Sequence, residues 1–146
     1  MKRARILIAG VKAEILQIME ALIGYELIAV TKISEAERLV AEDGIDIFVI
    51  GLRFDDSRAM ELVKKIRLDH EHHATPIVMV RLLGSDHTKL GRQTLHAMKR
   101  MRMINDYLEL EDDADSEEKI RATITKFLPA RKRLAFDDQD ADLFVF

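Results

Sequence analysis

The chain has 146 residues, of which 48% are hydrophobic and 34% charged, with a formal net charge of −3 and no cysteine. These values are typical of one globular domain. They exclude disulfides, thiol catalysis and zinc–cysteine sites, and the acidic balance gives no global reason to expect nucleic-acid binding. Because cysteine is absent and no apolar run is long enough to span a bilayer, we expect a cytoplasmic protein.

Short apolar runs alternate along the chain with segments whose apolar residues have helical spacing. In chain order the pattern predicts strand 6–9, helix 11–23, strand 25–30, helix 33–40, strand 46–50, helix 59–66, strand 77–80, helix 90–101, strand 103–108 and helix 115–128. Ser34 with Glu37, and Asp115 with Glu118, have the spacing of capping boxes, and Pro129 ends the last helix. Repeated strand–helix units with continuously apolar strands predict a parallel sheet covered on both faces.

The last segment differs in composition from the rest of the chain. Residues 130–133 are basic, 137–142 are mostly acidic, and 143–146 are apolar. We therefore divide the chain into a domain at 1–129 and a C-terminal tail at 130–146. The apolar end can add to a sheet edge or fill an apolar groove, with Phe144 and Phe146 on one face, on its own domain or on a second copy.

The order and spacing of five segments resemble the receiver domains of two-component response regulators, which are CheY-like domains. The segments that carry the resemblance are Arg-Ile-Leu-Ile at 5–8, Asp-Ile-Phe-Val-Ile at 46–50, the helix at 60–67, Thr-Pro-Ile-Val-Met-Val at 75–80 and Asp-Tyr-Leu at 106–108. The resemblance implies a flavodoxin-like three-layer α/β/α sandwich. Its five-stranded parallel sheet is expected to have the order 2-1-3-4-5.

The positions that carry chemistry in that family hold other residues here. Gly10 and Val11 replace the acidic pair that binds magnesium, and Gly51 replaces the phosphoacceptor aspartate. Arg81 replaces a serine or threonine, and Leu110 with Glu111 replaces a lysine–proline pair. Without carboxylates the magnesium site is lost, because that cation requires oxygen ligands. The resemblance therefore implies a pseudo-receiver that has no catalytic residue, cofactor or metal and signals by phosphorylation-independent protein contacts.

Five residues are candidates for a protein-interaction surface. In receivers the face formed by the fourth helix, fifth strand and fifth helix is a common dimerisation surface, and Tyr107 falls where receivers carry a switching aromatic residue. The basic fourth helix precedes an acidic run, so the two can pair across a twofold axis, although a solvated helix face is the alternative. The candidates are Arg100, Met101, Tyr107, Phe144 and Phe146. The expected partner is a signalling protein or a second copy.

Other polar groups favour less specific interpretations. Asp55 and Asp56 are expected in a loop or at a helix N-terminus, and His70, His72 and His73 in a solvated loop. A small-molecule-binding domain of flavodoxin-like topology is the alternative function. An enzyme is not expected, because the sequence has no Gly-x-Ser-x-Gly elbow, Walker loop or Rossmann glycine pattern.

Overall fold

A computed structural model of the protein describes residues 3–42, 44–84, 89–111 and 113–134. Its elements in chain order are β1 (Arg5–Ala9), α1 (Lys12–Ala21), β2 (Glu26–Val30), α2 (Ile33–Val40), β3 (Ile47–Gly51), a distorted turn (Phe54–Ser57), α3 (Ala59–Leu68), β4 (Ile77–Leu82), α4 (Lys89–Arg100), β5 (Asp106–Leu110), α5 (Ala114–Phe127) and a 3₁₀ turn (Ala130–Lys132). None of the helices in these ranges has the length and apolar character needed to cross a membrane.

The five strands form one parallel sheet in the order β2-β1-β3-β4-β5. The predicted fold class and strand order are therefore confirmed. The central strands are continuously apolar because both faces of the sheet are covered. All five residues of β3, for example, are buried.

Alternate residues of each strand feed two separate core layers. On one face, Leu7, Phe48 and Met79 pack against α2, α3 and α4. On the other face, Ile6 and Val78 pack with residues of α1 and α5. Burying both faces in this way fixes the register of the sheet, because a slip of one residue would exchange the two sets.

Two predicted capping boxes are wrong, because groups distant in the sequence or shifted along it satisfy the helix ends. Helix α2 begins at Ile33, without a side-chain cap from its own N-terminal residue. The Asp55 carboxylate accepts the Ile33 N–H instead, at 2.8 Å. Helix α5 is capped by Asp113, whose side chain accepts the Ser116 N–H at 2.9 Å. The fifth strand also begins later than predicted, at Asp106.

Arg67 ties together the loops at the amino end of the sheet. Its guanidinium donates to the carbonyls of Met103 at 2.8 Å and Thr75 at 2.7 Å, and to Asn105 Oδ1 at 3.1 Å. Asn105 Oδ1 also accepts the N–H of Ile77, the first residue of β4. Burial lowers the pKa of Arg67, but an arginine still keeps its charge. The residue therefore has a structural role.

One of the three histidines near Arg67 is not exposed to solvent, although a solvated loop was predicted for all three. His72 is buried, its Nδ1 lies 3.0 Å from Thr75 Oγ1, and its ring meets Phe48 edge-on. His70 and His73 are exposed, as predicted. Among the residues of the described ranges, no three potential metal ligands of the His, Asp or Glu type converge.

Candidate functional site

The carboxyl ends of β1, β3 and β4 meet at one edge of the sheet. Gly51, the last residue of β3, is in register with Val80, and Ala9 is in register with Ile50. Gly10 therefore lies next to Gly51, and Arg81 follows Val80 at the same level. Ligands bind at this edge in open parallel sheets. The structure thus brings together the positions at which the receiver resemblance expects chemistry.

The side chain of Glu14, in the first turn of α1, fills the space at this edge. Glu14 is fully buried. Its Oε1 accepts the Val11 N–H at 2.8 Å, and its Oε2 accepts the Arg53 N–H at 3.3 Å. The first bond is the backward half of a capping box, which satisfies a free N–H at the start of α1. The second bond joins α1 to the loop that follows β3.

Gly10 and Gly51 make room for this carboxylate. A Cβ atom at position 51 would lie 2.0 Å from Glu14 Oε1 and 2.1 Å from Glu14 Cδ, far inside van der Waals contact. A Cβ atom at position 10 would lie 2.9 Å from Glu14 Oε1. Any larger residue at position 51 would therefore displace Glu14. The Glu14 carboxyl group occupies the volume into which a side chain of residue 51 would project.

Burial changes the protonation of Glu14. Desolvation raises the pKa of its carboxyl, because the charged form loses hydration, while the N–H groups of Val11 and Arg53 and the charge of Arg53 oppose the shift. No motif in the sequence marks Glu14 as a site residue. One signal was available, because Glu14 lies four residues before buried Ile18, so a charged residue falls on the core-facing side of α1.

The loop after β3 forms a strained turn beside Glu14. Residues 55–57 have positive φ angles of 43°, 55° and 68°, a conformation that costs about 1–2 kcal/mol for each L-residue. Asp55 holds the turn in place. Its carboxylate accepts the Ile33 N–H and lies 3.5 Å from Lys32 Nζ and 3.7 Å from Arg58 Nη1. The bond from Ile33, assisted by these cations, lowers the Asp55 pKa.

Arg81 forms a buried ion pair at the end of β4. Its side chain is only 4% exposed, and Nη1 donates to Glu109 Oε2 on β5. Glu109 Oε1 also accepts from Arg92 Nε on α4, at 2.9 Å. The guanidinium thus links strands β4 and β5, and through Glu109 it links them to α4.

The predicted interaction residues of the described chain lie on or beside the α4–β5–α5 face. Arg100 and Met101 are exposed at the end of α4, and Met101 is 71% exposed. Tyr107 is half-buried on β5, with Lys99 Nζ 6.0 Å from its ring centre. Asp106 pairs with Lys99 at 3.0 Å and Lys126 at 3.9 Å, which ties α4 and α5 to β5. Phe144 and Phe146 lie outside the described residues.

Solved structures with a similar chain path are mainly response regulator domains. A putative response regulator from Chloroflexus aurantiacus has a TM-score of 0.63 and 18% sequence identity, with 86% of this chain and 98% of that chain covered. A response regulator from Hahella chejuensis has a TM-score of 0.64 at 18% identity, covering 86% and 95% of the two chains. The chain has the receiver-domain fold.

The receiver-domain fold is not confined to structures named as response regulators. The adenylate cyclase structure from Rhodopirellula baltica has a TM-score of 0.64 at 13% identity, covering 99% of this chain and 98% of that chain. No protein-family model matches the sequence, and no curated protein does so either. At these identities the likeness concerns the fold, and any function has to be argued from the site.

Proposed function

We propose that this protein is a receiver-fold signalling module that acts through protein contacts and does not transfer phosphoryl groups. The observation that supports this most is the Glu14 carboxylate, which fills the volume beside Gly51 and is held there by the Val11 and Arg53 N–H groups. The site has a glycine where an acceptor side chain would have to stand. The two carboxylate oxygens of Glu14 fill the remaining space.

The neighbouring groups also disfavour phosphoryl transfer. Gly10 and Val11 offer no carboxylate for a magnesium ion. Arg81 is engaged with Glu109 below the surface and reaches toward β5. An incoming phosphate would also meet the Glu14 oxygens, so binding would require displacement or protonation of that carboxylate. For the same reasons we propose that the protein is not an enzyme.

A labelling experiment tests the first part of the proposal. The full chain is incubated with ³²P-acetyl phosphate and magnesium, beside an active receiver domain as the positive control. We expect no incorporation into this protein. Glu14→Ala, which clears the volume beside Gly51, serves as a second sample and should also remain unlabelled, because no acceptor is created. Stoichiometric labelling of the unaltered chain would overturn the proposal.

We further propose that the α4–β5–α5 face is the contact surface, with a second copy as the partner. Arg100 supplies exposed positive charge at the end of α4, and Met101 supplies exposed apolar area beside it. Exposed acidic residues follow β5 at Glu111, Asp115 and Glu118, so a twofold axis would bring the basic end of α4 in one copy to the acidic start of α5 in the other. The ion pairs of Asp106 and Glu109 hold this face in one conformation.

Sedimentation equilibrium of the full chain tests this contact. We expect a concentration-dependent dimer that is weakened at least about tenfold by Met101→Asp, since such a change places a charge in an apolar contact. Met60→Asp is the matched control, because Met60 is 41% exposed in the first turn of α3, at the opposite end of that helix from Arg67, which contacts Met103. Equal effects of the two substitutions, or a monomer at all concentrations, would overturn the proposed contact while leaving the labelling result untouched.

A further inference from the structure

Helix α1 and the residues after it carry exposed apolar side chains. Leu16 and Met19 are three residues apart on α1, so they lie on one side of the helix, and Ile23 follows shortly after the helix ends at Ala21. Leu16 is 52% exposed and Ile23 is 72% exposed, while Met19 is partly buried. We call these three residues the α1 flank. It lies on the side of the sheet that α1 shares with α5, and the edge strand β2 follows it in the chain.

The last described residues are held next to the Ile23 end of this flank. The Leu134 N–H donates to the Tyr25 hydroxyl at 2.9 Å. The Leu134 side chain packs where Gly24 lacks a Cβ atom, which would otherwise lie 2.6 Å from Leu134 Cδ1. Lys132 Nζ pairs with the Asp46 carboxylate at 2.9 and 3.1 Å. These contacts direct the chain toward Gly24, the residue directly after Ile23.

The chain beyond Leu134 is suited to cover the flank. Twelve residues follow, and they include Phe136 and the apolar sequence Leu143 to Phe146. Twelve residues can extend to about 40 Å, which exceeds the length of α1. A segment tethered at the edge of a surface also acts at an effective concentration of about the millimolar range. An apolar segment therefore begins within easy reach of an exposed apolar surface.

We propose that residues 135–146 dock on the α1 flank of their own chain and cover Leu16 and Ile23. This inference goes beyond the proposed signalling contact and does not depend on it. The tail is tethered at Tyr25, directly before β2, whereas the proposed contact uses β5, the strand at the opposite edge of the sheet. Docking of the tail beside β2 would thus leave α4 and β5 available.

Paired cysteines test the docking directly, because the natural chain contains none. The test protein carries Ile23→Cys with Val145→Cys, and the control carries Leu68→Cys with Val145→Cys. Leu68 is an apolar position on α3 that is 86% exposed, against 72% for Ile23, and α3 packs on the other face of the sheet. Under mild oxidation we expect an intramolecular disulfide at least about tenfold faster in the test protein, since docking raises the local concentration of the second thiol.

Each outcome of this experiment decides the proposal. Equal rates in the two proteins would mean that the tail does not prefer the α1 flank, and a disulfide that joins two chains would place the tail on a second copy. Either result overturns the proposal. Deletion of residues 135–146 gives an independent readout by hydrogen exchange. We expect faster exchange for residues 16–27 and unchanged exchange for residues 60–68, and an unchanged rate at 16–27 would contradict docking.

Discussion

Substitution of Gly51 by alanine tests whether Glu14 and Gly51 form one structural unit. The three atoms closest to a Cβ at position 51 all belong to the Glu14 carboxyl group, at 2.0, 2.1 and 2.5 Å. The φ angle of Gly51 does not lie in the left-handed region. Alanine therefore brings no backbone strain, and the only large consequence of Gly51→Ala is that the Glu14 carboxylate must leave its place.

The cost follows from the bonds that Glu14 would lose. Its hydrogen bonds from Val11 and Arg53 have a charged acceptor and contribute about 1.5–3 kcal/mol each. Renewed hydration of the carboxylate offsets much of this loss, and the alanine itself restricts the unfolded chain, which offsets a further ~0.4–1 kcal/mol. We expect Gly51→Ala to lower the free energy of unfolding by about 1–3 kcal/mol.

A double-mutant cycle in urea separates this effect from a general effect of alanine. In the Glu14→Ala background, Gly51→Ala meets no carboxyl group and should stabilise by up to ~1 kcal/mol, which gives a coupling energy of about 2 kcal/mol. Gly84→Ala is the matched control, because a Cβ at position 84 would have no neighbour within 4 Å. If Gly51→Ala has the same effect with and without Glu14, the carboxylate does not occupy that volume and the reasoning fails.

Three further predictions use the same unfolding assay. Because folding raises the pKa of Glu14, its carboxyl stays protonated to a higher pH in the folded state than in the unfolded state. The unfolding free energy of the natural chain, relative to that of Glu14→Gln, should therefore fall as the pH rises from 4.5, the ordinary pKa, through the raised pKa. A flat or rising difference would contradict this. Arg67→Ala should cost about 1–3 kcal/mol because it leaves the partly buried carbonyls of Thr75 and Met103 without their donor, whereas exposed Arg38→Ala should be neutral; a similar cost for both would refute the role of Arg67. Glu109→Gln should cost about 1–3 kcal/mol because it removes the carboxylate that accepts from both Arg81 and Arg92, and no measurable loss would show that these ion pairs are solvated.

Local sequence patterns were sufficient to predict the strands and helices and the sequence in which they follow one another along the chain. Continuous apolar runs such as Phe48–Ile50 predicted buried parallel strands, and the confirmed strand order followed from the receiver resemblance. Helix starts were less predictable. The Ser34 and Glu37 pattern suggested a capping box, but the Asp55 carboxylate from another loop caps α2. A cap that comes from 22 residues away leaves no local signal.

The sequence by itself determined that Gly51 and Gly10 carry no chemistry, since a glycine has no side chain with which to act. What occupies the space beside them was decided only by the tertiary structure. In the sequence, Glu14 is one charged residue of a predicted helix. Its burial depends on how α1 packs across β1 and β3. Packing brings its carboxylate to the N–H groups of Val11 and Arg53. The two glycines and the glutamate become one site because elements distant in the chain meet at the same edge of the sheet.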